Sequence, residues 1–166
     1  MRVAVLSDIH DNIWNLEAAL HDIAGRGGDV LLFLGDFCAP FTLAQMAEGF
    51  RGPIHAVFGN NDGDPFLLAQ VASKFDHVHL YGPFAELELA GRRVALNHYP
   101  EIARRLVESG AYDAVFSGHN HQRHLDVVGT TLWANPGEVM GRFGAPSYGL
   151  YDPANHVFEH VDIRRE

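Results

Sequence analysis

Five short apolar runs constrain this chain more than any other feature, because each leads within a few residues into side chains that can bind a metal. Val3–Leu6 runs into Ser7-Asp8-Ile9-His10, and Val30–Leu34 into Gly35-Asp36. Ile54–Phe58 runs into Gly59-Asn60-Asn61-Asp62, Val94–Leu96 into Asn97-His98, and Ala114–Phe116 into Ser117-Gly118-His119-Asn120-His121. Near-continuous apolar runs of this length suit strands buried on both faces. Between them, apolar residues recur at helical spacing. Ile13, Leu16, Ala19, Leu20 and Ile23 follow a cap-like Asp11 and stop at Gly25, while Ile102, Ala103, Leu106 and Val107 stop at Gly110. Shorter helices are expected over Phe41–Glu48 and Pro65–Ser73. A βαβαβα first half favours parallel strands joined by right-handed crossovers.

The second half reads differently. Three hairpins are expected: Phe84–Leu89 with Arg92–Leu96, Leu125–Val128 with Thr131–Ala134, and Tyr148–Tyr151 with Val157–Ile163. The fold class is therefore α/β, with two packed mixed sheets covered by helices. No repeat or Ser/Pro-rich linker divides the 166 residues, so a single domain over residues 1–166 is expected.

Composition excludes several functions. Twelve Lys plus Arg against 21 Asp plus Glu leave a net charge of −9, a poor basis for a direct grip on nucleic acid. One cysteine, Cys38, excludes an intrachain disulfide. No apolar run approaches the ~20 residues that span a membrane, and Asp8 cuts short any signal-like start, so a cytoplasmic location is expected. The 11 histidines are an excess that needs explaining, since histidine is the commonest metal ligand.

Sites in α/β sheets form beyond the carboxyl ends of strands, and five such ends can converge. Asp8 and His10 are two apart, as are His119 and His121. In extended chain such pairs point to one side. Glycine precedes Asp36, Asn60 and His119, as sharp turns or close approaches require. Asp8, Asp36 and Asn60 supply oxygen, and His10, His98, His119 and His121 supply imidazole. Seven donors are too many for one four-coordinate ion and suit two ions sharing a carboxylate. Oxygen and imidazole without thiolate point to Mn, Fe, Zn, Co or Ni. Taken alone, each feature has a bland reading as a turn, a cap or a packed ring. His55, His77, His79 and His156 are read that way.

The ordered set Asp8-Ile9-His10, Gly35-Asp36, Gly59-Asn60-Asn61-Asp62, Asn97-His98 and Gly118-His119-Asn120-His121 resembles the motifs of the calcineurin-like metallophosphoesterases. Asn135-Pro136-Gly137 followed by Ser147-Tyr148 resembles the tail of their small bacterial and archaeal branch. The resemblance implies a four-layer αββα sandwich and two divalent transition-metal ions, manganese first among them. It implies that Asp8, His10, Asp36 and His121 hold one ion. Asp36, Asn60, His98 and His119 hold the other, with Asp36 bridging. It further implies hydrolysis of a small phosphoester, nucleotide-derived substrates included, by in-line attack of a metal-bridging hydroxide. A phosphodiesterase is expected first. A phosphomonoesterase, a protein phosphatase and a non-enzymatic scaffold, such as one eukaryotic branch provides, are the alternatives.

The chain departs from the pattern in three places. The family usually has Gly-Asn-His, and that histidine is assigned as the leaving-group acid. Here Asn61 stands in its place, able to donate a hydrogen bond but not an acidic proton; for a histidine at 61, Asp62 is the expected orienting partner. His98 is followed by Tyr99-Pro100 where the family often has Gly-His. Glu138 stands where serine is common. Phe37, Tyr99 and Trp133 are candidates to stack on a base, against a bland reading as core.

Overall fold

The computed structural model describes residues 1–165. The chain runs β1 (Val3–Leu6), α1 (Ile13–Gly25), β2 (Val30–Phe33), α2 (Pro40–Gly49), β3 (Ile54–Ala56), α3 (Pro65–Ala72) and β4 (Val78–Leu80). It continues through β5 (Phe84–Leu89), β6 (Arg92–Asn97), α4 (Pro100–Glu108), β7 (Ala114–Phe116), β8 (Arg123–Val128), β9 (Thr131–Pro136), β10 (Ser147–Asp152) and β11 (Val157–Asp162). Two mixed sheets result. One has the order β11-β10-β1-β2-β3-β4, the other β5-β6-β7-β9-β8. Strands β1 to β4 are parallel neighbours, as the βαβ reading requires, and β10 closes antiparallel on β1.

Alternation along the strands explains the layers. Ala4, Leu6, Leu31, Phe33, Ile54 and Ala56 face α1 to α3, in a core with Leu16, Ile23, Met46 and Leu68. Val3, Val5, Leu32, Leu34 and Val57 face the opposite way, onto Val94, Leu96, Phe116, Leu132 and Ala134 of the second sheet. The alternate residues of that sheet, Ala95 and Val115, face Ala103 and Val107 of α4. Helices, sheet, sheet and helix stack in four layers. Strands between two apolar layers must be apolar throughout, which is why their sequences lack a period of two.

Local details differ from the sequence reading. Asn12, not Asp11, caps α1, its Oδ1 accepting from the Asn15 N–H at 3.1 Å. Asp11 instead accepts from Ala39 N–H and the Thr42 hydroxyl, bracing the start of α2. Strand β4 was not anticipated; its Val-His-Leu sequence is too short and too polar to stand out, and it forms by pairing with β3. The expected strand Ile54–Phe58 ends at Ala56, where the chain turns toward the site. The hairpins formed as expected, Ala90 and Gly91 both taking the left-handed conformation that a two-residue turn requires.

Candidate metal centre

The loops after β1, β2, β3, β6 and β7 meet at one end of the sandwich. Asp8 and Asp36 are 0% and 1% exposed. Two buried carboxylates side by side are costly unless positive charge compensates them. The donors around them fall into two groups sharing one atom. In the first, Asp8 Oδ1 lies 3.7 Å from His10 Nε2 and 3.4 Å from His121 Nε2, and Asp36 Oδ2 lies 3.4 Å from His10 Nε2. In the second, the same Asp36 Oδ2 lies 3.5 Å from His98 Nε2. Asn60 Oδ1 is 3.0 Å from His98 Nε2 and 2.8 Å from His119 Nδ1, and those two nitrogens are 3.3 Å apart. Ligands held ~2.1 Å from a common ion sit roughly 3 to 3.5 Å from one another. All seven expected donors are brought together in this way.

The protonation pattern fits metals. His98 Nδ1 donates to the Leu34 carbonyl at 2.7 Å, and His121 Nδ1 to Glu138 Oε2 at 2.6 Å. In the neutral rings those bonds leave both Nε2 atoms as bare acceptors. With the ring neutral, His98 Nε2 faces Asn60 Oδ1, acceptor against acceptor, a contact that a cation between the two would satisfy. Asp8 Oδ1 and His10 Nε2 are buried with no hydrogen-bond partner. Orphaned polar atoms are rare in folded chains; Asn15, His124 and His156 each carry one as well, but only Asp8 and His10 have theirs beside further candidate ligands, where an ion would satisfy both. The residues present therefore fit a pair of divalent cations. Cys38 lies behind the centre, its Sγ 3.5 Å from the outer nitrogen of His10, Nδ1; burial, then the surrounding carboxylates, push its thiol up to about 11.

The paired donors converge by a different route from the expected one. Asp8, His10, Asp36, Cys38, His119 and His121 all have positive φ, from 45° to 74°. They are left-handed rather than extended. Non-glycine residues rarely adopt this conformation, and it concentrates at functional sites. Tight left-handed turns fold each loop back on its strand end and aim both members of a pair into the centre. The glycines provide the close approach. A Cβ on Gly59 would sit 2.2 Å from Asp36 Oδ1, and one on Gly118 would sit 1.9 Å from Ser7 Oγ.

Asn61 and Asp62 lie beside the donors in distinct places. The Asn61 backbone N–H donates to Asp36 Oδ1 at 2.8 Å, and its side-chain amide to Asp36 Oδ2 at 2.9 Å. Burial alone would raise the Asp36 pKa, yet His98 and these two Asn61 bonds outweigh it and hold the carboxyl below the usual range. The Asp62 carboxylate accepts from the backbone N–H groups of Phe37, Gly59 and Asp36 at 2.7, 2.6 and 3.2 Å. It ties the loops after β2 and β3 together, and neither oxygen bonds the Asn61 side chain. Of the aromatic candidates, Phe37 is fully buried against Phe33. Trp133 packs on His124, and Tyr99 stands edge-on to both His98 and His119.

Sequence reasoning missed the supporting residues, Glu138 above all. It is 1% exposed, and its second oxygen accepts from Phe143 and Gly144 N–H at 2.6 and 2.9 Å. The available signal was a carboxylate directly after Asn135-Pro136-Gly137. A carboxylate on the outer nitrogen of a ligating histidine fixes its tautomer and raises its basicity. Glu138→Gln is therefore expected to weaken metal affinity about 10- to 100-fold without unfolding the chain. Competition with a metallochromic chelator measures this, and unchanged affinity would mean that Glu138 serves only the loop.

The comparisons agree with this geometry. Residues 1–156 match the model of the calcineurin-like phosphoesterase superfamily domain. The chain belongs to that superfamily, and its class is that of metal-dependent phosphoric ester hydrolases. A phosphodiesterase of Methanocaldococcus jannaschii is 26% identical over 164 residues, covering 97% of this chain and 98% of the relative. The solved structure of an archaeal phosphodiesterase superposes with a TM-score of 0.90 at 25% identity, covering 98% of this chain and 99% of the other. Vacuolar protein sorting 29 of Cryptosporidium parvum shares the fold at a TM-score of 0.68 and 16% identity, covering 96% of this chain and 95% of the other. One fold thus carries differently named proteins, so the site must decide the function. Among the described residues no helix is long and apolar enough to cross a membrane.

Proposed function

We propose that this chain is a phosphodiesterase working with two divalent transition-metal ions, manganese first among them. The observation that carries the reading is the complete set of seven donors in two groups joined at Asp36 Oδ2. Two buried carboxylates and four aimed imidazoles are the equipment of metal-dependent hydrolysis, and a scaffold that bound no metal would leave them idle. Asp8, His10, Asp36 and His121 would hold one ion, and Asp36, Asn60, His98 and His119 the other. Bound there, the ions supply charge neutralisation for phosphoryl oxygens and an activated water.

The chain's own residues do the rest. Leu34 O and Glu138 hold His98 and His121 in the ligating tautomer, and Asn61 donates to the shared carboxylate. We favour a diester over a monoester as its substrate. The relatives named as phosphodiesterases support the same preference. The test is a panel of metals against matched mono- and diester aryl phosphates. Faster turnover of the diester with manganese is expected; a monoester turned over faster with every metal would overturn the assignment.

Metal binding also has a stability signature. An ion at 100 times its dissociation constant stabilises the native state by ~2.7 kcal/mol, and 1 kcal/mol moves Tm by ~2–4 °C in a chain of this size. Chelation is expected to lower Tm by about 5–10 °C per site while leaving a folded protein, because the cores contain no metal ligand. The drop is pH-dependent. Asp8, despite the opposing effect of burial, raises the His10 pKa above 6.5. Burial lowers that of His98, but the Asp36 bond and the nearby carboxylate charges outweigh it. Raised histidines stabilise the metal-free fold below the unfolded pKa, and that contribution is lost as pH rises through their folded values. Metal binding strengthens over the same window, because it requires neutral imidazole. The Tm gap between loaded and chelated protein should therefore widen upward from pH 6.5. A gap that narrows would contradict the assignment of these histidines as ligands.

A further inference from the structure

Phe143 is 71% exposed, an unusual position for a phenyl ring beside a polar centre. It is not on a loose loop. The Glu138 carboxylate that orients His121 also takes the Phe143 and Gly144 N–H groups. The side-chain amides of Asn12 and Asn15 donate to the Met140 and Val139 carbonyls at 2.8 Å each. Gly141 turns the loop with φ +70°, and a Cβ there would press on Pro146 and Asn15 at 3.1–3.2 Å. The ring itself stands perpendicular to the His121 imidazole, centroids 5.1 Å apart. The Arg142 guanidinium lies 5.2 Å from its centroid. A fixed, exposed aromatic surface is thus held against a metal ligand, with a cation beside it in an acidic chain.

We propose that Phe143, steadied by Arg142, forms a subsite for a planar aromatic group carried on the phosphorus of the substrate. This rests on the phosphoesterase reading and names the substrate class within it: esters of an aryl or nucleobase-bearing alcohol, as opposed to small alkyl phosphates. The shared chemistry is a flat π-surface. Such a surface packs on an aromatic side chain whatever its hydrogen-bonding pattern. An anionic phosphorus group at the ions and a ring on Phe143 would be bound together.

The test is calorimetric binding to the manganese-loaded protein, which needs no turnover. Phenylphosphonate is compared with methylphosphonate, and adenosine 5′-monophosphate with ribose 5-phosphate. The aromatic member of at least one pair is expected to bind more tightly, and Phe143→Ala to weaken that member about tenfold. The same variant should leave methylphosphonate within about twofold and the ion content unchanged. A response in the phenyl pair places the ring next to phosphorus; a response in the adenosine pair alone places it a sugar away. Phe143→Leu should recover little, because it restores apolar area without a π-face. Equal weakening of aromatic and non-aromatic members, no weakening, or loss of an ion in Phe143→Ala would overturn the subsite. Failure of the wild-type loaded protein to bind any of the four anions would instead bring down the phosphoesterase reading itself.

Discussion

Replacing Asp36 by alanine is expected to abolish the dinuclear centre and reduce phosphodiester hydrolysis by at least about 10³-fold. The reason is geometric. Asp36 Oδ2 lies within 3.5 Å of donors from both groups, 3.4 Å from His10 Nε2 and 3.5 Å from His98 Nε2. Losing it removes a ligand and a negative charge from both ions at once, whereas losing His10 or His119 touches only one. Metal catalysis contributes several kcal/mol of transition-state charge stabilisation, and each 1.36 kcal/mol is tenfold in rate. The fold should survive. Alanine at 36 relieves a buried carboxylate, and Asp36 itself belongs to neither apolar core. Circular dichroism together with kcat separates the outcomes. A folded variant within tenfold of wild-type activity would show that Asp36 does not bridge.

The second large effect concerns the leaving group. Asn61 stands where a histidine acid is usual, and its amide already donates to Asp36 Oδ2 at 2.9 Å. An amide has no acidic proton to transfer, so departure of a poorly stabilised alkoxide goes unassisted. General acid catalysis is typically worth ~10²–10⁴-fold. A steep dependence of kcat on leaving-group pKa is expected, with activated aryl diesters far ahead of alkyl diesters. Asn61→His should flatten the slope and raise the rate on poor leaving groups, since position 61 is exposed and has room for the ring. A Brønsted series on wild type and variant measures this under conditions where chemistry limits the rate. A flat wild-type series would assign the proton to another group. Asp62 is no alternative, because both of its oxygens are engaged by backbone N–H groups.

The strands and the convergence of the seven candidate donors were legible because both depend on local sequence. A strand between two apolar layers must be apolar throughout, and a ligand must be Asp, Asn or His at its end. What was not legible depends on tertiary partners. The extended geometry assumed for Asp8-Ile9-His10 and His119-Asn120-His121 gave the right convergence for the wrong backbone. Left-handed conformations at Asp8, His10, His119 and His121 are imposed by contacts with distant loops, such as the His119 N–H to Asp8 Oδ2 bond at 3.0 Å. Glu138 was seen only as a departure, because its role exists only when β9 and the loop after β7 lie side by side. Proximity in sequence makes Asp62 the expected partner of a histidine at 61, while in the fold its carboxylate is engaged by Phe37, Gly59 and Asp36. Strand β4 needed β3 beside it before Val-His-Leu could count as a strand.

The account stands or falls on two ions sharing Asp36. Elemental analysis of protein saturated with manganese and freed of loose metal by gel filtration counts them directly. Two ions per chain are predicted for the wild type, with loss of both in Asp36→Ala. At most one ion per wild-type chain at saturation would contradict the dinuclear centre and the proposed chemistry with it.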